Sequence, residues 1–365
     1  MYKALDLWLP SYLRRPRRAV PDGVTDILLA VCDHFEPLHA TDKHGALERL
    51  RRWQHDFPPL IEKFHDADGI RPRHTFFYPV EQYDPDILAA LTDLCRATGG
   101  EVELHLHHDH DTADGLREKL ERGKKDLARH NLLALDHSGS VRYGFVHGNW
   151  ALANSHPQGR GCGVNNELTV LAETGCYADF TMPSAPSPTQ TRIINSIYYA
   201  TDNGHPKPHN TGKPASVATN SPYQLSTINH QLLLIQGPLG LNWQRRKFGM
   251  LPRIENGEIT GTNPPRADRM KIWTRLGIHV QGRPDWIFIK LHTHGGNPRD
   301  MATLLGDPMR RFWEHALANY NDGKKFRLHF VTAREMVNII HAAEEGHSGN
   351  AGAFRNHRYQ SALTP

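Results

Sequence analysis

Short apolar runs rich in β-branched and aromatic residues recur along the chain. These runs, which are typical of buried strands, cover residues 25–32, 74–80, 102–107, 144–147, 197–200, 232–236, 286–291 and 326–331. Apolar side chains fall at helical spacing between them, over residues 46–55, 86–97, 116–135, 166–173, 266–276 and 309–320, with a last helix opening at Thr332. Because strands and helices alternate, the pattern predicts an α/β fold with a mainly parallel sheet.

The alternation predicts one domain over residues 25–346, with the length of a single elaborated α/β barrel. Residues 201–222 are crowded with Gly, Pro, Asn and His and predict a long surface loop. Residues 237–265 carry turn signals and predict an insertion over one end of the domain. Residues 1–24 are expected to cap the domain, and the polar, aperiodic residues 347–365 are expected to form a flexible tail.

Composition and charge exclude several classes of protein. The net charge of +4 over 365 residues is too small to indicate a nucleic-acid partner. No apolar run approaches the roughly 18–20 residues that span a bilayer, so no transmembrane segment is expected. The 4 cysteines show no CxxC spacing; they are too few for a disulfide framework and favour a reducing compartment.

The N-terminal segment carries Leu5, Leu7 and Leu9, followed by a run of arginines that starts at Arg14. In a signal peptide the charge precedes the apolar stretch, so this order is the reverse of a secretion signal. Together with the cysteines, it predicts a cytoplasmic protein. The segment is interpreted as a cap on the domain, with a peripheral contact to a membrane surface as the alternative.

Histidine is unusually frequent, with 25 residues in the chain, and several histidines directly follow predicted strands. In parallel α/β barrels the carboxyl ends of the strands carry the catalytic groups. The first cluster is Asp33, His34 and Glu36 in CDHFEP, after the run at residues 25–32. A carboxylate here can ligate a metal or act as a base, and a turn-capping role is the alternative for Asp33.

The second cluster places Glu103, His105 and His107 in alternation with leucines. The period of a strand puts these three side chains on one face, about 7 Å apart, so that two imidazoles can converge on one ion. Residues 108–111 then add a loop dense in histidine and aspartate. Burying so many polar groups without a metal or a substrate would be costly.

Two further clusters complete the pattern. His292 and His294 in KLHTHGG share one face at the end of an apolar run, and the two glycines allow close approach of a ligand. His147, Asn149 and Trp150 in FVHGNW offer a ring for stacking and polar groups for a sugar. A buried aromatic residue beside a satisfied histidine is the alternative for this fourth cluster.

Carboxylate and imidazole groups with few thiols nearby suit Zn²⁺, with Co²⁺, Mn²⁺ or Ni²⁺ as alternatives. A catalytic zinc keeps three protein ligands and one open position for water. The clusters therefore predict a divalent metal cofactor.

The order of these motifs resembles that of the polysaccharide deacetylases, the NodB-homology family of carbohydrate esterases. CDHFEP is similar to the first motif of the family, EVELHLHHD to the second and KLHTHG to the last, over roughly residues 25–295. The resemblance implies a deformed (β/α) barrel of about seven strands with one divalent metal. It also implies Asp33 as a metal or base carboxylate, His105 as the leading metal ligand and His292 as the general acid.

Three positions depart from the family pattern. His34 stands where the family has a second adjacent carboxylate, Asp109 where it has a second histidine, and His147 where it has a groove arginine. The base is therefore left open between Asp33 and Glu36. The expected metal ligands are Asp33, His105, His107 and Asp109, the last as a ligand or as a residue that orients one. The expected catalytic residues are Asp33, Glu36, His292 and His294, and the expected substrate-binding residues are His34, His147, Asn149 and Trp150.

Together these observations predict a metal-dependent hydrolase of carbon–nitrogen bonds that removes acetyl from an N-acetylated saccharide. A carboxylate would accept a proton from the attacking water, and His292 or His294 would protonate the departing amine. The expected localisation favours a small saccharide precursor as the substrate. Two alternatives stay open: a carbohydrate-binding barrel without catalysis, because the second carboxylate is missing, and a two-metal phosphoesterase, because residues 105–111 hold so many possible ligands.

Overall fold

The computed structural model describes residues 2–16, 18–19, 21–218 and 231–363. The strands in these ranges are β1 (Thr25–His34), β2 (Thr75–Pro79), β3 (Glu101–Leu106), β4 (Ala134–Asp136), β5 (Val141–His147), β6 (Cys176–Asp179), β7 (Ile197–Thr201), β8 (Lys213–Pro214), β9 (Gln231–Ile235), β10 (Gly240–Lys247), β11 (Leu251–Glu255), β12 (Glu258–Ile259), β13 (Trp286–Thr293), β14 (Phe326–Phe330) and β15 (Tyr359–Ser361). The helices are α1 (Leu5–Arg14), α2 (Lys43–Ile61), α3 (Pro85–Thr98), α4 (Ala113–Ala128), α5 (Glu167–Glu173), α6 (Ala267–Leu276), α7 (Pro298–Leu304), α8 (Asp307–Tyr320) and α9 (Ala333–Glu344).

One large sheet holds most of the strands, in the order β12-β13-β1-β2-β3-β5-β6-β9-β7-β8. Every pair from β12 to β9 is parallel, and β7 and β8 add an antiparallel edge. β14 pairs in parallel with the first half of β1. The predicted α/β class with a mainly parallel sheet is confirmed. The strands of the described residues form no closed ring, so the expected barrel is not established.

Alternate residues of each central strand bury on opposite faces of this sheet. Ile27 and Leu29 pack among the residues of α2 to α8, and we call this side the helix face. Leu28 and Ala30 pack on the other side with residues of α9, and we call this side the inner face. The ammonium group of Lys290 on β13 donates to the carbonyl of Met182, after β6, at 2.7 Å. Because four strands separate β13 from β6 in the sheet, the sheet curls around its inner face.

The predicted strands all appear, and the difference that matters most is at β1. This strand continues to His34, two residues beyond the predicted run, so Asp33 and His34 alternate between the two faces. The helix predicted to reach residue 135 ends at Ala128, because the backbone turns at Asn131 with a φ of 56° and then enters β4. The last predicted helix begins as expected, with Thr332 at its N-cap in a complete capping box.

The insertion at residues 237–265 folds into the antiparallel hairpin of β10 and β11, followed by β12. Arg269 on α6 fixes it, because its guanidinium donates to both carboxylate oxygens of Glu255 at 2.7 and 2.8 Å. The predicted loop at residues 201–222 contains β8, which pairs with β7. Its last residues, 219–222, lie outside the described residues.

The C-terminal segment is packed, whereas the sequence predicted a flexible tail. β15 pairs antiparallel with β4. The buried Arg355 donates to the carbonyl of Phe330 at 2.6 Å and to the carboxylate of Asp66 at 2.9 Å. Hydrogen bonds and ion pairs to other parts of the chain hold the segment. Contacts of this kind need no periodic apolar pattern, so the sequence of the segment gives no sign of them.

The N-terminal helix α1 packs on the domain as a cap. Trp8 and Tyr12 are buried in a small apolar cluster with Leu239 and Leu276. In the part of the chain that the structure describes, no helix is both long enough and apolar enough to cross a membrane.

Folding stability should depend on pH through His329 on β14. Its ring lies between two carboxylates, 2.7 Å from Asp26 and 2.8 Å from Asp68. Burial lowers the pKa of His329, but these hydrogen bonds outweigh it and raise the pKa above its usual value. The protonated ring therefore stabilises the fold fully below the unfolded-state pKa of about 6.5, and this contribution is lost as pH rises through the folded-state pKa.

We expect His329→Gln to flatten the fall of the unfolding free energy between about pH 6 and pH 8. Urea unfolding across this range measures the effect. His137→Gln, at an exposed position in the turn between β4 and β5, should keep the wild-type slope. A His329→Gln profile parallel to that of the wild type would contradict the assignment.

Candidate metal centre

Three imidazoles meet on the inner face at the carboxyl ends of the strands. His34 ends β1, and His105 and His292 lie near the ends of β3 and β13. The ring centroid of His34 lies 5.0 Å from that of His105 and 6.3 Å from that of His292. Parallel strands bring these residues together because all of them end at the same edge of the sheet.

Glu36, in the loop after β1, joins His105 and His107 in a group that we call the rim group. Its Oε1 atom lies 3.2 Å from Nε2 of His105 and 3.4 Å from Nε2 of His107. Ligand atoms of a tetrahedral zinc with bonds of about 2.0–2.1 Å lie about 3.3–3.4 Å apart. The rim group therefore fits an ion of the size of zinc, and three ligands leave one position open, as in catalytic sites.

Glu81 contacts the His107 ring on the side away from Glu36. Its Oε1 atom lies 2.6 Å from Nδ1 of His107, so Nδ1 carries the proton of this hydrogen bond and Nε2 points to Glu36. Glu81 comes from the short turn Val80–Gln82 after β2. A carboxylate in this position fixes the tautomer of a metal-ligating histidine and raises its basicity.

The protonation of the rim group follows from these contacts. Burial would raise the pKa of Glu36, but hydrogen bonds with His105 and His107 outweigh it and hold the pKa well below its usual range. Burial lowers the pKa of His107, and its bonds to Glu36 and Glu81 more than reverse this and bring the pKa to about 9. A metal at the rim group would therefore displace a proton, so its affinity should fall as the pH falls.

Four aromatic side chains lie in contact beside the rim group, and we call them the ring wall: His34, Trp150, His292 and His294. Trp150 stacks on His34 with centroids 4.6 Å apart and lies 5.2 Å from His292. His294 lies 4.9 Å from His34 and is partly exposed.

Two features of the ring wall are typical of functional sites. Trp150 has a φ of 60°, a left-handed conformation that costs a non-glycine residue about 1–3 kcal/mol and is common at functional sites. Nδ1 of His34 and Nδ1 of His292 are buried without a hydrogen-bond partner among the described residues. Such orphaned groups are rare unless a ligand or water satisfies them.

Burial also sets the charge of the ring wall. It lowers the pKa of His34 well below the usual value, with the neighbouring imidazoles adding to the effect. It lowers the pKa of His292 in the same way, with Lys290 adding to the effect. Both rings are therefore neutral near pH 7.

Asp33, expected as a metal ligand or base, lies on the helix face, away from His105. Its Oδ2 atom lies 2.8 Å from Nε2 of His74, and its Oδ1 atom accepts a hydrogen bond from the backbone of Gly295 at 2.6 Å. Asp33 thus fixes the glycine turn after His294. Asp33 lies apart from His105 because a strand that includes both Asp33 and His34 sends them to opposite faces.

The other expected residues divide between the site and its supports. Asp109 is exposed and accepts a hydrogen bond from the backbone of Gly161 at 2.6 Å, so it ties two loops together and is not part of the rim group. His147 is buried on the helix face, 3.8 Å from Glu167. Asn149 donates to a backbone carbonyl at 2.9 Å. The structure therefore brings together Glu36, His34, His105, His107, Trp150, His292 and His294, and places Asp33, Asp109, His147 and Asn149 elsewhere.

Sequence reasoning missed Glu81, Cys162 and Glu167. Glu81 directly follows the run at residues 74–80, so the rule that placed Glu36 at a strand end would also have found it. Cys162 and Glu167 carry no local signal. They meet His108 and His147 in a second, buried group that could also hold a metal ion.

Two more groups have the geometry for an ion: Asp66, Asp68 and His329, and Glu345, His347 and His357. Arginines already neutralise their carboxylates. Arg355 lies 2.9 and 3.0 Å from the first group, and Arg358 lies 2.5 Å from Glu345 in the second. These two groups are therefore best explained as ion-pair networks.

Gly148 supplies the space that the His107 ring occupies. A methyl group at this position would lie 2.4 Å from Cδ2 and 2.7 Å from Nε2 of His107. We expect Gly148→Ala to turn the ring away from Glu81 and Glu36 and to weaken metal affinity by about 10- to 100-fold, the usual loss when an orienting contact is removed. Zinc titration against a chelator measures this, and Gly23→Ala, which meets no atom within 4 Å, is the control. Unchanged affinity in Gly148→Ala would contradict the proposed role of His107.

Comparisons with protein families and with curated proteins identify no relative of the chain. No protein-family model matches the chain. A search of curated proteins likewise finds no match. The function is therefore inferred from the geometry of the rim group and of the ring wall.

Proposed function

We propose that the protein is a metal-dependent hydrolase that removes acetyl from an N-acetylated saccharide or saccharide precursor. The observation that carries the proposal is the rim group, in which one carboxylate and two imidazoles are spaced as ligands at the edge of a parallel sheet. Its ligand types suit Zn²⁺ best. A divalent metal held there polarises a carbonyl oxygen and lowers the pKa of water, which is the chemistry that amide hydrolysis requires.

The ring wall supplies the binding surface. Trp150 stacks on the buried His34 ring at 4.6 Å, and the partly exposed rings of Trp150 and His294 offer flat edges and faces beside the rim group. The apolar face of a sugar ring packs well against such a surface.

His294 is the better proton donor to the departing amine. Burial lowers the pKa of His292 and so disfavours the imidazolium form that a donor needs. His294 is partly exposed at the same edge, and its ring lies 4.9 Å from that of His34. We therefore assign proton donation to His294, while the buried His292 packs behind Trp150 and supports its ring.

We further infer that the fold is an opened relative of the polysaccharide deacetylase barrel. The parallel order from β13 through β1, β2, β3 and β5 to β6 supports this inference. The contact of Lys290 with the carbonyls after β6 also supports it, because it brings the two ends of this series together across the inner face. In this arrangement Glu36 takes the place that the family gives to an aspartate of the first motif.

Acetate release from N-acetylated amino sugars, free and nucleotide-linked, tests the proposal. We expect metal-free protein to be inactive, zinc or cobalt to restore activity, and free amine to appear in equal amount to acetate. His294→Gln should lower kcat by at least about 100-fold, while His137→Gln, at an exposed turn, should not. Binding of these sugars without turnover under any metal would contradict hydrolysis and favour a carbohydrate-binding protein.

A further inference from the structure

The second possible metal group lies on the helix face of the same strands, and we call His108, His147, Cys162 and Glu167 the buried group. Each residue offers one ligand atom, and these atoms lie within 4.8 Å of one another. His108 and Glu167 are in contact at 3.0 Å, and both side chains are fully buried. The buried group takes no part in the hydrolysis proposed above.

The distances within the buried group fit a tetrahedral ion. The Oε1 atom of Glu167 lies 3.0 Å from Nε2 of His108 and 3.8 Å from Nε2 of His147, and its Oε2 atom lies 3.4 Å from Sγ of Cys162. Around a zinc with bonds of about 2.1 Å to nitrogen or oxygen and 2.3 Å to sulfur, these separations are about 3.4–3.6 Å. Glu167 meets the two rings through Oε1 and the sulfur through Oε2, so a rotation of its carboxylate with small shifts of the rings would bring one carboxylate oxygen, the two nitrogens and the sulfur to this spacing.

One ring of the buried group lacks a partner. Nε2 of His147 is fully buried and has no hydrogen-bond partner among the described residues, although it faces the carboxylate of Glu167. A buried polar atom without a partner costs about 1–3 kcal/mol, so such an atom calls for an explanation. A metal ion between His147 and Glu167 would provide one.

Two backbone donors and a carboxylate surround the sulfur of Cys162. Sγ accepts hydrogen bonds from the backbone N–H groups of Asn154 at 3.3 Å and Val164 at 3.4 Å. Burial and the carboxylate of Glu167 nevertheless raise the pKa of Cys162 well above its usual value, so the group holds a neutral thiol whose proton a bound cation would displace. The carboxylate of Asp111 lies 3.3 Å from Nδ1 of His108, where an outer carboxylate can orient a metal-ligating ring.

We propose that the buried group is a structural zinc site, separate from the rim group. Two imidazole nitrogens, one thiolate and one carboxylate oxygen complete a four-coordinate shell with no open position, as structural zinc requires. On binding, the ion replaces the thiol proton of Cys162, which is released to solvent. Nδ1 of His147 must then carry the ring proton, so its contact with the backbone N–H of Asn149, at 3.2 Å, opens.

The location explains what such an ion would do. His108 directly follows His107 of the rim group, Cys162 lies in the loop before α5, and Glu167 is the first residue of that helix. The backbone of Asp111 already donates to the carbonyl of Cys162 at 3.0 Å. A zinc ion here would link the end of β3 to α5 and to the loop before it. It would thereby restrict the position of His107 from the opposite face of the sheet.

Cobalt substitution of the full-length protein tests the proposal. A thiolate ligand gives cobalt a near-ultraviolet charge-transfer band, whereas nitrogen and oxygen ligands do not, so the rim group cannot produce it. We expect two cobalt ions per chain and this band in the wild type. His105→Ala should lose one ion and keep the band, and Cys162→Ser should lose one ion together with the band. Cys95→Ser, a buried thiol on α3 outside both groups, should keep both ions and the band.

The wild-type spectrum decides the question even if Cys162→Ser fails to fold. A wild-type protein with one cobalt and no thiolate band would show that the buried group is a metal-free hydrogen-bond network and would overturn the proposal. A band that persists in Cys162→Ser would overturn it as well. Failure of hydrolysis with the band present would count against the proposed function and leave the buried site supported.

Discussion

Replacing His105 with alanine is expected to remove one bound metal per chain and to reduce the proposed hydrolysis to the level of the metal-free protein. His105 is fully buried, and its Nε2 atom faces Glu36 at 3.2 Å, so the substitution removes one of the three possible ligands of the rim group. Loss of an outer-shell partner alone costs about 10- to 100-fold in affinity, and loss of a direct ligand should cost more than about 100-fold. Zinc affinity by chelator competition and acetate release measure the two effects.

Glu36→Gln provides the matched test without a change in volume. The amide keeps the shape of the side chain and removes its charge, so a similar loss of metal and activity would assign the effect to ligation and not to a cavity. Glu81→Gln should have a smaller effect, about 10- to 100-fold, because Glu81 acts through Nδ1 of His107. Full metal content with undiminished activity in both His105→Ala and Glu36→Gln would refute the rim group as the metal centre.

Arg334→Met is expected to destabilise the fold by about 3–5 kcal/mol, the usual cost of removing one partner from a buried ion pair. Nε and Nη2 of Arg334 donate to one oxygen of Glu101 at 2.9 and 2.6 Å. Its Nη1 atom donates to Asn356 and to the carbonyl of Tyr359, both at 2.7 Å. The substitution would leave the buried carboxylate without this partner and would release the C-terminal segment from α9.

Urea unfolding measures this loss, and limited proteolysis should cut residues 351–361 faster in the variant than in the wild type. Arg311→Met is the control, because its ion pair with Asp307 is largely exposed, with side-chain exposures of 72% and 62%, and such pairs are worth about 0–1 kcal/mol. Equal stability of the Arg334→Met and Arg311→Met proteins would show that the C-terminal segment is held by other contacts.

The histidine clusters illustrate how far a sequence can locate a site. The alternation of His105 with leucines placed it on one face of its strand, and the strand-end rule pointed to Glu36, His34 and His292, which the structure brings to one edge of the sheet. That these residues bind a metal or a substrate stays a prediction. The same rule did not place Asp33, because it locates the end of an apolar run and β1 continues two residues beyond that end. The last two residues of β1, Asp33 and His34, point to opposite faces of the sheet, so the carboxylate of Asp33 lies on the face away from the rim group.

The buried group illustrates the opposite limit. His108 and His147 stood in motifs that were predicted to bind metal or substrate, but their partner Glu167 lies 59 residues from His108 along the chain. The C-terminal segment is similar, since Arg355 reaches an aspartate 289 residues away. Contacts of this kind depend on the packing of whole elements, and no local pattern encodes them.

The sequence by itself determined the class of fold, the strands and helices of the core, and the edge of the sheet at which ionisable residues collect. These properties follow from the period of apolar residues and from the common direction of parallel strands, both of which are local. The tertiary structure alone decided which carboxylate joins His105 and His107, and that a second group of possible metal ligands lies behind them. Those outcomes depend on the face to which each side chain points and on loops brought together from distant parts of the chain, and both are fixed only when the core packs.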